Sequence, residues 1–232
     1  MCGILGVVVQ HMDPEHIPLL RRLFLESSIR GLHATGLSYV KAGKIWTERH
    51  PVPAAQFPFA WDQYTNEDGN LYLLGHCRYS TSDLTVNQPL ATDHLSIVHN
   101  GVISQELPEH WDSLYGYSCQ TKNDSELILR TLEAGHSPLQ VWSNSSLAVC
   151  ELRASTELRA YRNGKRPLYL IQTPGMVVIT STADIARRAG VSWDLPWRIP
   201  MNTVVTMTGK LSPTFASPEP TTLRDLQDAL GY

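Results

Sequence analysis

The stretch that decides the fold is the first, "MCGILGVVV" at 1–9. A chain terminus is ordinarily frayed and polar, because nothing ties it down. Here Gly3 to Val9 form a continuous apolar run, the pattern of a strand covered on both faces. A cysteine directly before such a strand is held rigidly, so its thiol can be aimed. Cys2 and Gly3 are both small, which favours removal of Met1 and leaves a thiol and a free α-amine on one residue. Their ordinary pKa values, about 8.5 and about 7.7–8.0, are close enough for proton exchange near neutrality. The amine can then act as general base and the thiolate as nucleophile. Taken alone, the stretch favours the plainer reading, in which Cys2 is a small apolar filler.

Working outward, 232 residues suffice for one large domain or two small ones with a real core. Hydrophobic residues make up 42% and charged residues 18%, an ordinary globular balance. A formal net charge of -3 gives no electrostatic footprint for nucleic acid or an anionic membrane surface. No apolar run is long enough to span a bilayer, and the N-terminus lacks the basic leader of a signal peptide. The expected location is the cytoplasm. Cys2, Cys77, Cys119 and Cys150 are scattered without metal or disulfide spacing, so free thiols are expected.

The pattern alternates between strands and helices. "DPEHIPLLRRLFLESSIRG" reads as a helix capped by Asp13, with Pro14 in its first turn and Gly31 beyond its end. "LYLLGHCRYST", "LSIVHNG" and "SSLAVCELR" read as strands. "NDSELILRTLEAG" reads as a second helix, with Asn123 and Glu126 forming a capping box and Gly135 as the stop. "LRAYRNGKRPLYLIQ" reads as a hairpin turning at Asn163-Gly164. "GMVVITS" and "NTVVTMTGK" follow as strands, with a short helix, "TADIARRAG", between them. The spacing predicts a closing helix in "TTLRDLQDALGY". There is no internal repeat and no clear linker, which fits a single layered α+β domain over 1–232, with 211–232 a short C-terminal tail or helix.

Four further segments follow Cys2 in order: "RGLHATG" at 30–36, "GHCRYST" at 75–81 with "NQP" at 87–89, "VHNG" at 98–101, and "NDSE" at 123–126. Together with "CGILG" they resemble the glutaminase domain of class II glutamine amidotransferases, the N-terminal-nucleophile hydrolases. "RNGKRPLYL" and "VVITSTADIA" resemble the family's later strands, so the likeness runs from residue 1 to about residue 210. It implies a four-layer αββα sandwich with mainly antiparallel sheets. It also implies hydrolysis of L-glutamine to glutamate and ammonia through a γ-glutamyl thioester on Cys2, with no metal, nucleotide or other cofactor.

The resemblance also implies roles. Arg78 would grip the glutamine α-carboxylate, for which a guanidinium fork is suited; its plainer reading is a surface ion pair. Asp124 would bind the α-ammonium, or cap a helix. Tyr79 and Thr81 would complete the substrate wall. Asn100 and Gly101 would form the oxyanion hole; their plainer reading is a tight turn after a strand. Arg30 would lie near the nucleophile and favour its thiolate, or simply complement a helix end. His76 and His99 read as hydrogen-bonded structural residues, and the tryptophans of "VSWDLPWRIP" as core packing.

Two departures stand out. His33 occupies a position where the relatives carry aspartate, and Tyr79 replaces the tryptophan of glucosamine-6-phosphate synthase. Family members usually pass ammonia to a fused synthase domain. Here about twenty residues remain after position 210. Three readings follow: a glutaminase whose ammonia-accepting synthase is a separate subunit, a stand-alone amidase acting on glutamine or another γ-glutamyl amide, and a non-catalytic binding module. The first is preferred.

Overall fold

A computed structural model describes residues 2–79, 87–191, 196–209 and 211–217. In chain order the strands are β1 (Gly3–Val9), β2 (Ala34–Lys41), β3 (Lys44–His50), β4 (Leu71–Arg78), β5 (Leu90–Ala91), β6 (Leu95–His99), β7 (Ala148–Arg153), β8 (Glu157–Arg162), β9 (Tyr169–Thr173), β10 (Met176–Thr180), β11 (Trp197–Arg198), β12 (Thr203–Met207) and β13 (Thr214–Ala216). The helices are α1 (Ile17–Ser28), α2 (Trp111–Tyr115), α3 (Glu126–Glu133), α4 (Pro138–Val141) and α5 (Ala183–Ala189). The strands form two sheets, β11-β9-β10-β1-β4-β2-β3 and β13-β12-β8-β7-β6-β5. Every strand pairing among the described residues is antiparallel.

The opening stretch becomes the centre of the first sheet. β1 lies between β10 and β4 and is buried along its whole length. Its two-residue period divides its side chains between two cores. Leu5, Val7 and Val9 face the outer layer, where Leu20, Leu23 and Phe24 of α1 and Ile185, Ala186 and Ala189 of α5 cover the sheet. Ile4 and Val8 face the second sheet and pack with Val98, Cys150, Leu152, Leu158 and Val205. The far face of that second sheet is covered by α3 and α4 through Leu127, Ile128, Leu129 and Leu139. The architecture is therefore the αββα sandwich.

Local detail departs from the sequence reading in several places. Asp13 does cap a turn, its carboxylate accepting from Glu15 N–H at 2.7 Å, but that turn is a short 3-10 segment leading into α1. Glu126 does not close a capping box with Asn123. Its carboxylate accepts instead from the N–H groups of Gln120 at 2.8 Å and Thr121 at 2.7 Å, which anchors the preceding loop. Gly135 ends the region as expected, with φ +79 in the left-handed range open to glycine. Asn163-Gly164 is not a hairpin turn: β8 belongs to one sheet and β9 to the other, so the segment crosses between sheets. Asn163 secures the crossing by accepting from Leu147 N–H at 3.2 Å and donating to the Ser145 carbonyl at 2.6 Å. Trp197 is 41% exposed and meets Phe215 edge-on, so it is not part of a core. Trp193 and the closing "TTLRDLQDALGY" lie outside the described residues. No described helix is long and apolar enough to cross a membrane.

Candidate active site

The site lies at one end of the sandwich, where the inner faces of the two sheets open into a cavity of about 860 Å³, within the range typical of small-molecule sites. Strand periodicity delivers the side chains there. Cys2 has the parity of Ile4 on β1, and His76 and Arg78 have the parity of Leu74 on β4, so all face inward with the inter-sheet core. Across from them Asn100 follows β6 with the parity of Val98, and its N–H bonds the Ala148 carbonyl at 2.9 Å.

Cys2 is held from three sides. The Ser181 hydroxyl accepts from Ile4 N–H at 2.7 Å and donates to the Cys2 carbonyl at 3.4 Å. Arg30 Nε donates to the same carbonyl at 3.1 Å. Gly3 lets α1 approach, since a Cβ there would lie 2.4 Å from the Ser27 carbonyl oxygen. Burial lowers the Arg30 pKa from its ordinary value, Cys2 raises it and Arg166 lowers it. Burial drives the other thiols upward, Cys77 to about 12 and Cys119 to about 11, and raises Cys150 as well. Cys2 is half-buried and lines the cavity.

Asn100 faces Cys2 across the cavity. Its Oδ1 accepts from Cys2 N–H at 3.3 Å, which fixes the amide orientation. The opposite atom, Nδ2, is buried and finds no hydrogen-bond partner among the described residues. Gly101 lines the same cavity, and a Cβ there would lie 1.7 Å from the Ser146 carbonyl oxygen, so no larger residue fits. His99 locks this turn from beneath. Its Nε2–H donates to the Ser146 carbonyl at 2.9 Å, which leaves Nδ1 to accept from the Ser125 hydroxyl at 2.8 Å. Gln88 closes the network, donating to Ser125 Oγ at 3.1 Å and accepting from His99 N–H at 2.6 Å. Burial lowers the His99 pKa, partly opposed by Asp124, which suits this neutral tautomer.

The cavity lining also carries charge. Arg78 Nη1 donates to Asn87 Oδ1 at 2.8 Å and lines the cavity. Asp124 Oδ2 accepts from the N–H groups of Ile103 at 2.6 Å and Ser104 at 3.4 Å. A fixed guanidinium and a fixed carboxylate lining one cavity can hold the two charges of an amino acid.

The fold recurs in solved proteins. The chain superposes on glutamine phosphoribosylpyrophosphate amidotransferase from B. subtilis with a TM-score of 0.68 and 18% identity, over 93% of this chain and 49% of that one. It superposes on the allosteric regulatory enzyme of purine biosynthesis with a TM-score of 0.72 and 17% identity, again over 93% and 49%. The fold is that of the class II glutamine amidotransferases.

Sequence likeness to proteins of this class is confined to part of their length. A glutamine–fructose-6-phosphate aminotransferase of Bartonella henselae is 31% identical over 147 residues, 60% of this chain. A Bartonella quintana protein of the same description is 30% identical over 149 residues, 58% of this chain. The chain spans 23% of the length of each of these curated relatives. No family model matches the chain.

Of the residues singled out from sequence, the amidotransferase fold brings Cys2, Arg78, Tyr79, Asn100, Gly101 and Asp124 to one cavity. Arg30 adjoins it through the Cys2 carbonyl. Thr81 lies outside the described residues. The departure at His33 finds a physical partner: its ring lies 5.1 Å from that of Tyr79 in a tilted stack, and its N–H bonds the Arg78 carbonyl at 3.0 Å. Sequence reasoning gave no role to Gln88, Ser125, Arg166 or Ser181, although all stand within or beside the quoted motifs. The bonds of Gln88, Ser125 and Ser181 join segments distant in sequence, and Arg166 lines the cavity. His99 is hydrogen-bonded as expected; for His76 neither ring nitrogen has a hydrogen-bond partner among the described residues. Among the described residues no three His, Cys, Asp or Glu side chains converge as a metal-binding group.

Proposed function

We propose that the chain cleaves the side-chain amide of L-glutamine, giving glutamate and ammonia through a Cys2 thioester. The observation that carries this reading is Asn100. Its oxygen is bound to the Cys2 backbone nitrogen, while its buried amide nitrogen is left unpartnered beside the nucleophile. A buried donor without a partner costs about 1–3 kcal/mol, and a developing oxyanion would repay it.

The residues then act in sequence. Arg78 and Asp124 hold the α-carboxylate and α-ammonium of glutamine, with Tyr79 and Thr81 as wall. The Cys2 α-amine, free once Met1 is removed, takes the thiol proton. Sγ attacks the amide carbon, and the oxyanion is met by Asn100 Nδ2 and the Gly101 N–H. Collapse breaks the C–N bond, and the amine's proton leaves with ammonia. Water then adds to the thioester, giving up a proton to the amine. The C–S bond breaks, and glutamate and the Cys2 thiol are restored. Arg30 steadies the nucleophile through its carbonyl. Ammonia passes to a synthase on a separate subunit, and exposed Tyr79 and Val102 at the cavity mouth offer apolar surface for docking it.

The test joins glutamate release to acid-quenched intact mass. Wild-type protein should lack Met1 and form a glutamyl adduct that Cys2→Ala lacks. An active protein that retains Met1 would refute the α-amine as base. A protein that binds glutamine but releases no glutamate, alone or with cell extract, would leave a binding module.

A further inference from the structure

His76 is a buried group in the cavity lining that takes no part in these steps. It stands on β4 opposite Ile4 of β1, faces the second sheet, and lines the same cavity as Cys2, Arg78 and Asn100. It is 1% exposed, and neither ring nitrogen has a hydrogen-bond partner among the described residues. The His99 backbone carbonyl comes near enough to favour the charged ring slightly, but not within bonding geometry. Burial first, then Arg78 and His99, push its pKa down to about 3, so the ring is neutral with one N–H and one lone pair. The neighbouring His99, equally buried, is satisfied at both nitrogens. Buried polar groups in native proteins are nearly always paired, so a buried imidazole with neither nitrogen bonded among the described residues, in the lining of a cavity that also carries Arg78, Asn100 and Asp124, marks a place for a small guest.

We propose that His76 seats the small neutral molecule exchanged at the acyl carbon: the ammonia that leaves glutamine and the water that replaces it. The inference rests on the glutaminase reading. Both molecules donate and accept hydrogen bonds, as the open ring requires. Departure of ammonia and entry of water are corresponding steps on one carbon, so one seat serves both. No bond to His76 forms or breaks and no proton moves through it. A neutral ring cannot protonate ammonia, so the proton supply stays with the Cys2 amine. His76 is a positioning residue.

The test is the fate of the thioester in the presence of hydroxylamine, which yields the γ-glutamyl hydroxamate in competition with water. Removing the seat should disfavour water, the weaker nucleophile and the more dependent on being held. His76→Phe should raise the hydroxamate-to-glutamate ratio about fivefold, the worth of one hydrogen bond. His76→Leu, close to histidine in volume and smaller than phenylalanine, carries the same test if the phenyl ring prevents folding. His76→Gln, which keeps a donor and an acceptor, should hold the ratio within about twofold of wild type. Alkylation of Cys2 by iodoacetamide should stay at the wild-type rate in each variant. Slower turnover in all three variants with an unchanged ratio would show a merely structural role and overturn the proposal. A wild-type protein that forms neither glutamate nor hydroxamate would remove the glutaminase reading, and this inference with it.

Discussion

Lowering the pH from 7 to 5 should destabilise the protein far more than its carboxylates require. The folded His76 ring has a pKa of about 3, against 6.5 for an unperturbed histidine. Between those values the unfolded chain binds a proton that the folded chain cannot, so stability falls as pH falls through this window. At pH 5 the unfolded imidazole is almost fully protonated and the folded one almost fully neutral. The difference amounts to about 2 kcal/mol of stability lost relative to pH 7. His99, its pKa also lowered by burial, acts in the same direction. Glu126 does not contribute within this window. Burial raises its pKa, but hydrogen bonds from Gln120, Thr121 and Arg130 outweigh burial and hold it below the usual value, so its stabilisation is lost only at lower pH. Urea unfolding followed by tryptophan fluorescence at pH 7 and pH 5 measures the loss directly. In His76→Gln the loss should shrink by about 2 kcal/mol. An equal loss in wild type and variant would refute the reasoning, because it would mean that the folded His76 titrates like an exposed histidine.

Other expectations concern the site. Asn100→Ala should lower kcat by about 10²–10³ with little change in KM, whereas Arg78→Ala should mainly raise the KM for glutamine, as steady-state kinetics will show. Gly101→Ala should abolish glutamate release, because its Cβ would collide with the Ser146 carbonyl. Iodoacetamide at pH 8 should label Cys2 ahead of Cys77, Cys119 and Cys150, whose thiols burial holds protonated, and peptide mapping identifies the site. Asparagine should be cleaved far more slowly than glutamine when both are assayed side by side, since the Arg78–Asp124 clamp fixes the amino-acid end at a set distance from Cys2.

What could be read in the sequence was local. The apolar run of 3–9 announced a strand buried on both faces, and β1 is one because its period divides Ile4 and Val8 from Leu5, Val7 and Val9 between two cores. Gly135 announced a stop, and a positive φ is what it supplies. Asn163-Gly164 misled because the same dipeptide suits any tight reversal, and the choice between hairpin and crossover is made by contacts with Ser145 and Leu147, distant in sequence. Glu126 misled likewise: a carboxylate in the first turn of a helix takes the nearest free N–H groups, and here a loop brings those of Gln120 and Thr121. The motif residues at the site were visible because short spacing carries them. The Gln88–Ser125–His99 network was not, since its members come from three separate segments.

The site is assembled from two plates. Cys2 and Arg78 ride on the first sheet, Asn100 and Gly101 on the second, and the gap between them is filled by Val8, Leu74, Cys150 and Leu158. On the proposed mechanism that inter-sheet core is a spacer that sets the distance from nucleophile to oxyanion donor. Its tolerance to change is narrow, since an ångström of sliding at the reacting atoms costs about a hundredfold in rate. The proposed chemistry would thereby place residues that never see substrate under the constraint of catalysis, and make the core of this fold the gauge of its site.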